Sequence, residues 1–457
     1  MPQEFNDQGG AASMDPHPIY RWLSSKLLSH LTSEQALHKR RKKFERQRQK
    51  SNKPFVLEYF HQIEDGYSHL AAQALEQILG RYAVEVQCHL VSGPQGKNSP
   101  ERDLLLELSQ RDSIAISTHY GLIFPATHNK PSKVNLSLAS KILAAQDSIG
   151  FVNSASDIGQ ALWSHDQHTL SQLAEVLGAC NKDELRLYLD QGTKRQQELK
   201  HYSGAMFYFG GEWYWGVDRL YHLEQRLIEL GLNNSPENNL LFPRPSLSPG
   251  KVPAAEDLTL EIYPSLRSPY TAVIFDCAVQ FAKDKGVQLK VRPVLPMVMR
   301  GVPATREKGI YIFSDAAREA RAAGLPFGNI YDPIGEPVRN CYSLYPWACT
   351  QKKGVELLSS FLKAAFVDGL NTNNHSGLQK VVENAGLNWE EAKQYLGNSE
   401  WEQELEVNRR KMYESGLWGV PSFRLIDKQD NEILALWGQD RLWLFDYIIR
   451  QYSKSSE

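Results

Sequence analysis

Hydrophobic positions along the 457-residue chain change period several times, and each change marks an element. Ile19, Trp22, Leu23, Leu27 and Leu31 recur at helical spacing, predicting a helix over residues 17–31 with an apolar stripe. Thr32-Ser33-Glu34-Gln35 resembles a capping box and predicts a second helix. Phe55 to Phe60 reads as a buried strand, and a turn at Glu64-Asp65-Gly66 leads to a helix near 67–80. Val84 to Leu90 alternates as a second strand, and residues 100–200 read as mostly helical. Met206 to Phe209, Gly210-Gly211 and Glu212 to Trp215 form a hairpin signature, followed by a helix near 218–230.

The same order returns after residue 257. Leu258 to Tyr263 is a strand, Ser268-Pro269-Tyr270 opens a helix, and Val287 to Val291 is the next strand. A long helical stretch runs to about 417. Gly419 to Ile426, a turn at 428–431 and Glu432 to Trp437 form a second hairpin, and a final helix is expected to begin at Asp440. Leu57-Glu58 precedes Leu260-Glu261 by 203 residues, and Tyr67 precedes Tyr270 by the same offset. Trp215-Gly216-Val217-Asp218-Arg219-Leu220 matches Trp437-Gly438-Gln439-Asp440-Arg441-Leu442 at an offset of 222, which predicts an internal repeat. Four segments result. Residues 1–54 are a tail (flexible over 1–15) and helices, 55–232 a first domain, 233–257 a linker with five prolines in 25 residues, and 258–452 a second domain.

Composition narrows the classes. Hydrophobic residues are 42% and charged residues 23%, as in globular proteins. No apolar run is long enough to span a bilayer, and the N-terminus lacks a signal-peptide pattern, so a cytoplasmic protein is expected, with no membrane partner. Residues 39–50 carry eight basic groups and one acidic. The rest holds 43 basic and 52 acidic residues, a net of −9, which disfavours a nucleic-acid partner; the basic run reads as a solvated helix face. The five cysteines, Cys88, Cys180, Cys277, Cys341 and Cys349, contain no C-x-x-C and read as buried small hydrophobes. His165-Asp166-Gln167-His168 offers a metal pair but reads better as a helix start, so no metal is expected.

The βαβ unit, helical insertion and ββα unit predict an α/β protein of two tandem thioredoxin-like domains, with an N-terminal helical extension. The second copy resembles the DsbA-like superfamily. Within it, residues 258–450 look most like 2-hydroxychromene-2-carboxylate isomerases and kappa-class glutathione transferases. The residues carrying the resemblance are Ser268-Pro269-Tyr270, Lys308-Gly309-Ile310-Tyr311, Gly416 to Phe423 and Trp437 to Leu442. Residues 55–230 look like a diverged, non-catalytic copy, with Asp65 standing where Ser268 stands and no proline at the loop of Ser203-Gly204-Ala205.

Redox members of the superfamily place C-x-x-C at the first helix, where the N-terminus stabilises a thiolate. Here the positions are Ser268-Pro269-Tyr270-Thr271. Locally Ser268 is an N-cap. The resemblance implies that it also orients the thiolate of glutathione, bound as cosubstrate. It further implies that Val420 and a cis Pro421 align the glutathione backbone and that Gln439 and Asp440 hold its γ-glutamyl end. Tyr270, Arg300 and Trp418 are assigned to the substrate cleft. Pro296 to Thr305 is shorter than the equivalent kappa-class loop and lacks its Asn-Lys pair; Arg300 is the cation that remains. The expected function is a glutathione-dependent transferase or isomerase acting on a small electrophilic or aromatic compound. The alternatives are a thiol-disulfide oxidoreductase and a non-catalytic thioredoxin-like binding protein. An intramolecular pseudo-dimer of the repeats, with a further homodimer, is the expected assembly.

Overall fold

A computed structural model describes residues 15–127, 129–253, 255–302 and 304–456. The tail read at residues 1–15 falls, up to residue 14, outside the described residues. The chain divides into two units. A middle unit is His38–Pro245; a C-terminal unit resumes at Ser246 and includes the chain up to Leu37.

Two helices lead, α1 (Pro18–Thr32) and α2 (Glu34–Lys50). The middle unit continues with β1 (Val56–His61), α3 (Gly66–Arg81), β2 (Glu85–Leu90), α4 (Arg102–Ile116) and α5 (Lys133–Ala144). Then come α6 (Ser148–Trp163), α7 (Gln167–Leu177), α8 (Lys182–Glu198), β3 (Met206–Phe209), β4 (Glu212–Trp215) and α9 (Leu220–Glu229). The C-terminal unit has β5 (Thr259–Tyr263), α10 (Pro269–Lys285), β6 (Gln288–Val291), α11 (Arg306–Ala322), α12 (Glu336–Thr350) and α13 (Gly354–Phe366). It ends with α14 (His375–Asn384), α15 (Trp389–Ala392), α16 (Glu400–Glu414), β7 (Ser422–Ile426), β8 (Glu432–Trp437) and α17 (Leu442–Ser456).

Each unit holds one four-stranded sheet, in the orders β2-β1-β3-β4 and β6-β5-β7-β8. In both, the first two strands are parallel and the other pairings antiparallel. A parallel pair needs a crossover, which α3 and α10 supply, whereas tight turns suffice for the hairpins. The inner strands β1 and β5 are buried almost throughout, as strands covered on both faces must be. This is the thioredoxin-like α/β architecture that the element order predicts.

A buried carboxylate sits in each inner strand. Glu58 binds His89 at 3.1 Å and Arg195 at 2.7 Å. Burial alone raises a carboxyl pKa, yet these two partners hold Glu58 down at about 2. Glu261 binds Arg292 at 2.7 Å and Arg424 at 3.2 Å, and accepts from the Tyr263 hydroxyl at 2.9 Å. Against burial, these partners again lower its pKa. Glu58 and His89 stand 203 residues before Glu261 and Arg292. Two further contacts recur at that offset. The Tyr67 hydroxyl donates to Asp112 at 2.7 Å, and that of Tyr270 to Asp315 at 2.8 Å. Ser68 Oγ accepts from Gln62 N–H at 3.1 Å, and Thr271 Oγ1 from Ser265 N–H at 3.4 Å.

The proline-rich segment is seated rather than free. Leu241 and Phe242 donate backbone N–H to Glu224 in the middle unit. Ser248 N–H donates to Asp446 in the C-terminal unit. The division between units falls within this segment, after Pro245.

The leading helices differ from expectation in two ways. Ser33, not Thr32, caps α2, accepting from Ala36 N–H at 3.2 Å. The apolar stripe of α1 is exposed, while Arg21, Ser25 and Thr32 are buried. In α2 part of the basic run is packed: Arg41 binds Glu212 at 2.7 and 3.0 Å, and the Arg48 guanidinium lies 3.8 Å from the Phe55 ring centre. No helix among the described residues is long and apolar enough to cross a membrane.

Removing Glu261 leaves Arg292 a buried cation without its carboxylate, while Arg424 keeps Glu432 at 2.8 Å. Glu261→Ala is expected to cost about 3 kcal/mol of stability, read by urea unfolding of the full chain. A loss below about 1 kcal/mol would show that water or rearrangement neutralises Arg292.

Candidate active site

The start of α10 is built by three local features. Ser268 is the N-cap and accepts from Thr271 N–H at 3.2 Å. Pro269 occupies the first helical turn, where its missing N–H costs nothing. Gly286, at φ +81°, ends the helix in the left-handed conformation that side chains resist. The Ser268 hydroxyl also donates to the carbonyl of Val420 at 3.2 Å. The Val420–Pro421 bond is cis, as the loop's resemblance predicts.

The loop is held from its far side as well. Gly438 N–H donates to Pro421 O at 3.1 Å, and the Ser422 hydroxyl donates to Gly419 O at 2.7 Å. A Cβ at Gly419 would lie 2.4 Å from the Trp437 indole nitrogen, so only glycine lets the loop approach this ring. Trp437 packs against Trp418 with ring centres 5.6 Å apart. Trp418 is buried, and its indole N–H has no hydrogen-bond partner among the described residues.

Above Trp418 stands Lys308, in the first turn of α11, its ammonium 5.5 Å from the ring centre. Burial pushes its pKa from 10.5 down to about 8. The sequence reading used Lys308 only as part of a motif; its environment makes it a site residue. The missed signal was a lysine inside the same resemblance that supplied Ser268.

Gln439 and Asp440 lie in the turn before α17, which begins at Leu442 and not at Asp440. Gln439 is 2% exposed; its amide N–H donates to Glu319 at 2.7 Å, and its carbonyl oxygen is buried without a partner among the described residues. Asp440 is half-buried, with Arg441 at 3.3 Å. Tyr270 packs on Val273, Ala316 and Ala320 and spends its hydroxyl on Asp315. Arg300 is 6% exposed, with its Nε donating to Leu295 O and its pKa lowered by burial. It braces the loop after β6. Ser268, Val420 and Pro421 thus meet directly, and Lys308, Trp418 and Trp437 stack in sequence beside the same loop.

In the middle unit the equivalent place is a small cleft lined by Gln62, Asp65, Tyr67, Arg102, Ser203 and Trp215. Asp65 caps α3, accepting from Tyr67 N–H, Ser68 N–H and the Ser68 hydroxyl at 2.9 to 3.3 Å. Burial raises its pKa to about 6. His165 faces Asn129 O at 3.1 Å, and Asp166 caps α7. Among the described residues no group of three acidic, histidine or cysteine side chains is placed to hold a metal. The five cysteines are free thiols, and none lies at positions 268–271.

Lys308 should react as an amine of pKa about 8. Acetylation across a pH series, read by peptide mass spectrometry, is expected to half-protect Lys308 near that pH while ordinary lysines stay protonated. A Lys308 midpoint shared with the surface lysines would contradict its desolvation beside Trp418.

Comparison with known proteins gives a family match and similar solved structures. Residues 259–450 match the family model of the DSBA-like thioredoxin domain. No curated protein matches the chain. Among solved structures, a 2-hydroxychromene-2-carboxylate isomerase is similar at 16% identity and TM-score 0.37, over 43% of this chain and 97% of that one. A probable DsbA oxidoreductase from Streptomyces coelicolor is similar at 19% identity and TM-score 0.34, over 44% and 91%. The cytosolic disulfide reductase DsbM from Pseudomonas aeruginosa is similar at 15% identity and TM-score 0.34, over 43% and 98%. By its family match, its strand order and its cis-proline loop, the segment from residue 259 to 450 is a DSBA-like thioredoxin domain.

Proposed function

We propose that the C-terminal unit is a glutathione-dependent transferase or isomerase for a small electrophilic or aromatic compound. One observation carries this reading: the start of α10 presents a neutral serine hydroxyl, not a thiol, against the cis-proline loop. A helix N-terminus favours an anion, and a hydroxyl can donate to one. Without sulfur at positions 268–271 the site has no means of exchanging disulfides itself. A bound thiol supplied from outside fits both facts.

In this reading the glutathione sulfur lies at Ser268, whose O–H turns from Val420 O to the thiolate. Val420 and Pro421 align the peptide backbone of the ligand. The unpaired carbonyl oxygen of Gln439 accepts from the γ-glutamyl ammonium, and Asp440 adds negative charge. Lys308 supplies a cation beside Trp418, and the Trp418–Trp437 pair walls the acceptor's side of the cleft. The middle unit is a diverged copy of the same domain, in which Asp65 already fills the place of the external anion. Five free cysteines suit a reducing compartment such as the cytoplasm.

Calorimetric titration with glutathione tests the reading, and absence of both heat and thermal stabilisation at millimolar ligand would sink it. With binding established, Ser268→Ala is expected to leave affinity within a few-fold and raise the bound thiol's pKa by about 1–2 units, the loss of one hydrogen bond to a charged group. The readout is ultraviolet thiolate absorbance against pH. Insulin reduction by the wild-type protein would instead favour disulfide exchange.

A further inference from the structure

We propose that α1 docks the protein onto an anionic lipid surface through its outward apolar face. Ile19, Leu23 and Leu27 follow one another at four-residue spacing, with Tyr20 and Trp22 alongside. They are 61%, 50%, 59%, 71% and 51% exposed, respectively. A helix of a globular protein ordinarily turns such a stripe inward. Here the buried stripe is Arg21, Ser25 and Thr32, on the opposite side.

The reversal is enforced by hydrogen bonds. The segment 328–334 runs beside α1; Gly328 and Tyr331 N–H bond the carbonyls of Phe366 and Ala365, and side chains of α1 meet others of its backbone groups. Arg21 donates to the carbonyls of Asp332 and Ile334 at 2.8 and 2.5 Å. Ser25 Oγ accepts from Asp332 N–H at 2.9 Å, Ser29 Oγ from Ile330 N–H at 2.8 Å, and Thr32 donates to Gly328 O at 3.1 Å. An apolar stripe cannot make these bonds. The helix is therefore held with its hydrophobic side facing out.

Charge selects the occupant. α1 contains no acidic residue, and its exposed side also carries Lys26 and His30. A two-fold contact with a second copy would set Lys26 against its own counterpart with no carboxylate on α1 to neutralise it. Anionic headgroups neutralise Lys26, while Trp22 and Tyr20 suit the boundary between headgroups and acyl chains. The proposal departs from the expectation of no membrane partner, which rested on the absence of a spanning segment; an interfacial helix needs none.

Co-sedimentation with vesicles tests the proposal using the full chain without ligand, so it is independent of glutathione. Binding is expected to vesicles of equal parts phosphatidylcholine and phosphatidylglycerol, at least about tenfold tighter than to phosphatidylcholine alone, and to weaken with salt. Leu23→Glu and Trp22→Glu, both at exposed positions, should each cut binding by about tenfold with an unchanged melting temperature. The proposal is overturned if wild-type protein does not sediment with the anionic vesicles, or if the two variants bind as well as wild type. It is also overturned if the wild type is a dimer that Leu23→Glu dissociates while vesicles bind neither form.

Discussion

The Ser268 hydroxyl joins the two elements on which the site depends. Its oxygen accepts from Thr271 N–H, which fixes the first turn of α10, and its proton goes to Val420 O, which fixes the loop before β7. Each bond is a modest contribution alone. Their geometry matters more, because the helix start and the cis-proline loop come from opposite ends of the domain, 152 residues apart. The loop is then located from its other side by Gly438 N–H and by the contact of Gly419 with Trp437. An anion arriving at the α10 N-terminus meets a donor already in place, and needs only the rotation of one hydroxyl.

The middle unit has an anion at the start of its own crossover helix. Asp65 occupies the same N-cap position and gathers three donors from Tyr67 and Ser68. The positive end of α3 is thereby satisfied from within. Burial nevertheless raises the Asp65 pKa to about 6, so desolvation outweighs its hydrogen bonds. The two crossover helices thus start in different electrostatic states: one is capped by a carboxylate, the other by a neutral hydroxyl.

Much of this was legible in the chain. The order of elements followed from the succession of periods, the cap at Ser268 from a short motif with a local cause, and the cis bond at Pro421 from the family resemblance. What stayed hidden depends on distant partners. The final helix starts at Leu442 because Gln439 and Asp440 remain in the turn, Gln439 being drawn to Glu319 on α11. Arg300 looked like a ligand cation from its loop, but the fold buries it. The low pKa of Lys308 arises from desolvation beside Trp418, which periodicity does not report. The apolar stripe of α1 was visible, but its direction was not, since the bonds that reverse it reach residues about three hundred positions away.

Those same bonds place α1 in the support of the site. Asp332, whose N–H is bound by Ser25 and whose carbonyl is bound by Arg21, uses its carboxylate to hold Arg267 through two bonds of 2.9 Å. Arg267 immediately precedes Ser268. The helix with the exposed apolar face is therefore joined, through one aspartate and one arginine, to the residue before the hydroxyl that orders the helix start. Contiguity of this kind is not by itself energetic coupling. It does mean that α1 is part of the scaffold that positions Ser268, so its polar stripe is constrained by the site and its apolar stripe is left free for a different use.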